Sequence, residues 1–166
     1  MKLICDKIAR IIKARKKLEQ KLGVKITNRG KELTITGNPE NEYIAEKVID
    51  ALNFGFPFST ALQIKEEENF MFEILNIKDY TKRRDLERIR ARIIGKKGKT
   101  LSTLSQLTKC AFELKNNQVG IIGPVEYIEN AQEAIISIIQ GSKQSNVYAH
   151  LEKHPPKPAI DLGLKK

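Results

Sequence analysis

A shift of 86 residues lays the first half of this chain on the second. Leu18 falls on Leu104, Ile26 on Phe112, Leu33-Thr34-Ile35-Thr36-Gly37 on Val119-Gly120-Ile121-Ile122-Gly123, and Gly55 on Gly141. An internal repeat restricts a chain to a unit that can be built twice. The chain has 166 residues, so each copy has to close a core with about 70–80 residues.

Patterning gives both copies the same order of elements. In the first, residues 2–5 read as a short strand. Residues 7–22 read as helix, with Ile8, Ile11, Ile12, Leu18 and Leu22 on one stripe and Gly23 as the stop. Val24–Thr27 and Leu33–Thr36 alternate about a turn at 28–31, which is a hairpin. A helix follows Gly37-Asn38-Pro39 and carries Tyr43, Ile44, Val48, Ile49 and Leu52, and Ser59 is read as the cap of a short turn through Ile64. In the second copy, Phe70–Ile77 reads as strand, 85–94 and 99–108 as helices, Cys110–Leu114 and Val119–Ile122 as strands about Asn116-Asn117, and Gly123–Ile139 as helix. Ser145 is read as capping a last short helix. Each copy is therefore strand–helix–helix–strand–strand–helix. The first domain is placed at 1–64 and the second at 69–153, with Glu66-Glu67-Glu68 as the solvated boundary. Residues 154–166 read as a disordered basic tail.

The copies differ in one place. The second carries Ile93-Ile94-Gly95-Lys96-Lys97-Gly98-Lys99-Thr100 between its first two helices. Two glycines there let a backbone come close to a partner and permit positive φ. Gly98 opens a helix whose first N–H groups are free, which suits a phosphate. Lys96, Lys97 and Lys99 add mobile charge, and Thr100 a hydroxyl. Matched by the same shift, the first copy has Ala9 and Ile12, so it lacks the loop, and its two short helices read as one merged helix.

Charge follows the loop. The chain carries a net +10, and residues 78–99 hold ten Lys and Arg against three acids, a net +7. Such clustering, with a pI near 9.6, favours a polyanion. No apolar run reaches the length of a membrane span, and the N-terminus has no signal-peptide pattern. Cys5 and Cys110 read as small core residues of a reducing, cytoplasmic setting. His150 and His154 lack further ligands, so no metal or cofactor is expected. No nucleophile–base set, Walker loop or carboxylate pair stands out, and no enzyme activity is expected.

The Gly95–Gly98 segment, the paired strands and the closing helix resemble a K-homology (KH) domain of type I, of order β-α-α-β-β-α. The resemblance implies an α+β fold of two tandem KH domains, each a three-stranded antiparallel sheet with helices on one face. Arg90-Ala91-Arg92-Ile93-Ile94-Gly95, the Gly55-Phe56-Pro57-Phe58-Ser59-Thr60-Ala61-Leu62 linker and Asn146-Val147-Tyr148 with Leu151 resemble the archaeal and eukaryotic family of ribosome-assembly factors called partner of Nob one. That family binds the 3′ region of small-subunit rRNA. It works with the endonuclease that trims this end and with the dimethyladenosine transferase, and archaeal members contact the alpha subunit of translation initiation factor two. The expected function is thus binding without chemistry. About four nucleotides of single-stranded RNA would lie in a groove, contacted by Ile94, Gly95, Lys96, Lys97, Gly98, Lys99, Thr100 and Leu101, with Arg84, Arg88, Arg90 and Arg92 on the preceding helix. The arginines alternate, so some must point away. Base choice would rest on the strand 110–114. Two alternatives stay open. One is a KH protein unrelated to the ribosome. The other is a protein–protein adaptor with Phe54, Phe56 and Phe58 either exposed for docking or packed at the inter-domain seam.

Overall fold

Both hairpins close, and each recruits a third strand along its second arm. In the computed structural model, which describes residues 1–156, β1 (Lys2–Ile4) and β2 (Lys25–Arg29) flank β3 (Glu32–Thr36). Likewise β4 (Phe70–Asn76) and β5 (Ala111–Lys115) flank β6 (Gln118–Pro124). All pairs are antiparallel, with Ile26 opposite Ile35 and Leu75 and Leu114 opposite Val119. The chain divides into two units, Met1–Glu68 and one beginning at Asn69. The part of the expected tail from Lys157 onward lies outside the described residues.

The period-two pattern of the strands decides which face is inward. In the first unit Leu33, Ile35 and Ile26 are buried with Ile11, Leu18, Val48 and Ile49. In the second, Leu75, Val119 and Ile121 face Ile89, Ile93, Leu104, Ile128, Ile135 and Ile138. The long helices are α3 (Pro39–Phe54) and α7 (Val125–Ile139). Helix α3 starts where Asn38 accepts the N–H of Asn41 at 2.8 Å, with Pro39 at its first position.

Three local expectations are corrected, and one open alternative is narrowed. The first two helices have not merged. The stretch 7–22 is α1 (Ile8–Lys13) and α2 (Arg15–Leu22), broken at Ala14, whose N–H turns back to the Ile11 carbonyl at 3.1 Å. The short turn after Phe56 is a full helix, α4 (Phe58–Glu66), preceded by Pro57 and not capped by Ser59. The final helix, α8 (Gln144–Lys153), starts one residue before Ser145. Phe54 and Phe56 are 5% and 1% exposed, with their rings stacked at 6.0 Å, so they are not free for docking; Phe58 is half-buried.

Burial also sets thiol chemistry. Cys110 is buried, which pushes its thiol up to about 11, while the Thr108 carbonyl accepts its S–H at 3.3 Å. The thiolate is the reactive form. Cys110 in the folded protein is therefore expected to resist a thiol reagent at pH 8 and to react once urea unfolds the chain, read from label incorporation by mass spectrometry.

Candidate nucleic-acid interface

The loop begins where helix α5 (Leu86–Ile94) runs out. Gly95 adopts φ 77° and ψ 173°, and its N–H closes on the Ala91 carbonyl at 2.8 Å. That backbone region is close to glycine-only. Space imposes the same choice. A Cβ on Gly95 would sit 2.7 Å from the Thr100 backbone nitrogen and closer still to the Thr100 hydroxyl. Residues Lys96–Gly98 form one 3-10 turn, within which Lys97 is left-handed at φ 53°. Gly98, at φ 74°, then opens α6 (Lys99–Thr108). A Cβ there would meet nothing within 4 Å, so the backbone over Gly98 faces open space.

Beside the loop lies an open cleft of about 440 Å³, lined by Arg90, Ile94, Leu114, Asn116 and Asn117. One wall is α5, and the other is edge strand β5 with its turn. Ile94 is 39% exposed, unusual for an isoleucine in a small core, and gives the cleft its apolar floor. Arg90 donates to Asn117 Oδ1 across the cleft. Lys96, Lys97 and Lys99 are exposed at its end, and none forms an ion pair with a described carboxylate. The nearby acid is already engaged: Arg83 bonds Asp85 at 2.6 Å and holds its carboxyl below the usual range.

The expected contact residues separate into groups. Gly95, Lys96, Lys97, Gly98 and Lys99 form the loop end, and Ile94 and Arg90 line the cleft. Arg84 and Arg88 are exposed but do not line it. Leu101 packs against the core of the second unit. Two expectations are corrected. Thr100 is 6% exposed and packs under Gly95, so its hydroxyl supports the loop from below. Arg92 is bound to backbone, donating to the Ile138 carbonyl at 2.7 Å and the Ser142 carbonyl at 2.6 Å. It ties α5 to the end of α7, where the Ile138 carbonyl also accepts the Gly141 N–H at 3.1 Å.

The first unit has the same tie. Arg10 donates to the Leu52 carbonyl at 2.6 Å and to the Phe56 carbonyl. Leu52 and Phe56 lie 86 residues before Ile138 and Ser142, whereas Arg10 lies 82 before Arg92. The difference of four is the length of Gly95–Gly98. The first copy thus lacks the loop as a clean omission, and Ile12, not a loop position, corresponds to Ile94. The repeated Arg-Ile-Ile at 10–12 and 92–94 carried that signal in the sequence. Asn116 and Asn117, read only as a turn, are the cleft residues that the sequence reading missed. Asn116 at φ 54° takes a position that glycine usually fills.

Arg92→Ala is expected to cost the second unit about 1.5–3 kcal/mol, read as a lower urea midpoint. Where the protein stays folded, RNA affinity is expected to be unchanged. A drop in affinity without a loss of stability would return Arg92 to the interface.

Among the described residues no three His, Cys, Asp or Glu side chains are grouped to hold a metal ion, and no helix is long and apolar enough to cross a membrane. Residues 71–155 match the eukaryotic type KH-domain (KH-domain type I), in the form found as the second domain of PNO1. A KH domain-containing protein of Methanocaldococcus jannaschii is 28% identical over 150 residues, covering 86% of this chain and 66% of that protein. The Pre-rRNA-processing protein PNO1 of Eremothecium gossypii is 32% identical over 105 residues, covering 62% of this chain and 39% of that protein. The chain thus spans less than two thirds of the length of these relatives. Among solved structures, Dim2p from Pyrococcus horikoshii superposes with a TM-score of 0.85 at 29% identity, covering 93% of this chain and 98% of that one. A chain of the a/eIF2alpha-aDim2p-rRNA complex from the same organism gives 0.84 at 29% identity, covering 92% of each.

Proposed function

The chain belongs to the type I KH-domain family in its PNO1 form, and from that premise we propose that it is an RNA-binding factor of ribosome assembly. Single-stranded RNA lies in the cleft between α5 and β5, and the Gly95–Gly98 loop holds its backbone at one end. The observation that carries this reading is the loop itself, with a glycine backbone open to approach beside an apolar, polar-edged cleft and three unpaired lysines. Lys96, Lys97 and Lys99 face phosphates. Ile94 lies under a base, and Arg90 with Asn117 offers donors and acceptors to base edges. Arg84 and Arg88 extend the positive field.

The rRNA in the Pyrococcus horikoshii complex and the pre-rRNA-processing name of the fungal relative support the ribosomal setting. The RNA proposed for this chain is the 3′ region of small-subunit rRNA, in the cytoplasm. The protein partners this reading implies are the endonuclease that trims that end, the dimethyladenosine transferase and the alpha subunit of initiation factor two. The protein has no chemistry of its own in this role. Labelled RNA incubated with the protein and Mg²⁺ should remain intact, and specific cleavage would defeat that part of the reading.

The direct test is fluorescence anisotropy with a short RNA from the 3′ end of the small-subunit rRNA against a scrambled RNA, at two salt concentrations. Sequence-dependent binding that survives the higher salt is expected. Equal binding to both RNAs, erased by salt, would reduce the protein to a basic surface.

A further inference from the structure

We propose that the cleft continues round the Asn116-Asn117 turn into a second, wholly polar pocket that takes one further nucleotide, with Asn76 and Gln118 reading its base and Lys78 meeting its phosphate. The inference deepens the RNA-binding reading above and rests on it.

The pocket is open, of about 340 Å³, and is lined by Asn76, Lys78, Asp79, Asn116, Asn117 and Gln118. Asn116 and Asn117 line the cleft as well, so a single turn separates the two. That turn has two residues between β5 and β6, the shortest common hairpin connection, and it adds little bulk at the end of the sheet. Helix α5 gives the cleft its direction. Ile94 adjoins the glycine loop, and Arg90, one helical turn earlier, meets Asn117. A strand held by the loop therefore leaves the cleft at Asn117, where the pocket begins.

The two spaces differ in chemistry. The cleft has Ile94 and Leu114, whereas no apolar side chain lines the pocket. Four of its six lining residues are amides, and an amide offers a donor and an acceptor side by side, as a base edge does. Asn76 and Gln118 are opposite each other on β4 and β6, and Gln118 Nε2 donates to Asn76 Oδ1 at 3.0 Å. That bond orients both side chains. It leaves the Asn76 amide N–H groups and the Gln118 Oε1 with no other partner among the described residues.

The opposite wall is fixed by its backbone. Ile77 is fully buried, and its N–H donates to the Asn117 carbonyl at 2.8 Å, which ties the 3-10 turn Ile77–Tyr80 to the hairpin. Lys78 and Asp79 project from that turn, both exposed, and neither forms an ion pair among the described residues. Lys78 is the first cation of the basic stretch 78–99, so the positive field reaches the pocket. Asp79 opposes a second phosphate and accepts from an amino group. The lining thus suits one phosphate and one base edge together.

The test uses the full chain with Asn76→Ala and Gln118→Ala combined, which removes both partners of one hydrogen bond and leaves neither orphaned. Anisotropy is read with a tetranucleotide from the 3′ region of small-subunit rRNA, and with the same RNA lengthened by two nucleotides at its 5′ or at its 3′ end. The tetranucleotide occupies the cleft alone and should bind parent and variant within about twofold. One of the two extensions should tighten the parent by about tenfold, with an affinity that depends on the added base, and the variant should lose both the gain and the base preference. Lys78→Gln should lower the log–log salt slope by about 0.7 for that extended RNA and leave the slope for the tetranucleotide unchanged. A urea midpoint near that of the parent checks the fold of each variant. Extensions that add nothing, or a gain that survives in the double variant, would overturn the proposal. Failure of the parent to bind the tetranucleotide would strike the cleft reading and the pocket with it.

Discussion

Replacing Lys96 and Lys97 together with Asp is expected to lower affinity for single-stranded RNA by on the order of 100-fold at moderate salt. Two charge-assisted contacts at about 1.5 kcal/mol each account for that loss, and the new carboxylates add repulsion. Both side chains are exposed, and neither forms an ion pair with a described carboxylate. The fold should therefore survive, with an unchanged urea midpoint. Loss of two phosphate contacts also flattens the salt dependence, by a log–log slope of about 1.4. Binding that persists with an unchanged slope would place the RNA elsewhere.

The second large effect separates the two loop glycines. Gly95→Ala should destabilise the second unit by roughly 2–5 kcal/mol, combining a strained backbone with a collision against Thr100. RNA binding should fall with it, because the loop can no longer pack on α6. Gly98→Ala meets no neighbour and bears only the left-handed penalty, about 1–2 kcal/mol. Its methyl group stands where RNA would approach, so affinity should drop by more than that modest loss of stability explains. Urea titration with anisotropy on both variants checks the pair. Equal effects of the two on stability would contradict the geometry.

The order of elements was legible because it depends on local signals. Period-two alternation at 24–27 and 33–36, and glycine at 23, 55 and 98, act within a few residues of where they stand. The loop was legible for the same reason. What stayed hidden depends on distant partners. Arg90 and Arg92 look alike in sequence, yet one meets Asn117 and the other two carbonyls 46 and 50 residues away. Backbone carbonyls leave no mark in a sequence, so nothing local distinguished a cleft arginine from a structural one. Ala14 hid its break because alanine is the best helix former, and no glycine or proline stands beside it to mark a stop. Phe54 and Phe56, apolar beside Gly55 and Pro57, carried no sign of whether they were buried or free.

The central claim is a place: single-stranded RNA between the Gly95–Gly98 loop and strand β5. The measurement that tests it most directly is a ¹H–¹⁵N NMR titration of the full chain with a short single-stranded RNA. The amides of Gly95, Lys96, Lys97, Gly98 and Lys99, together with Ile94, residues 111–115 and Asn116-Asn117, should shift first and farthest. Shifts concentrated on α7 and α8, or spread evenly over exposed lysines, would contradict it.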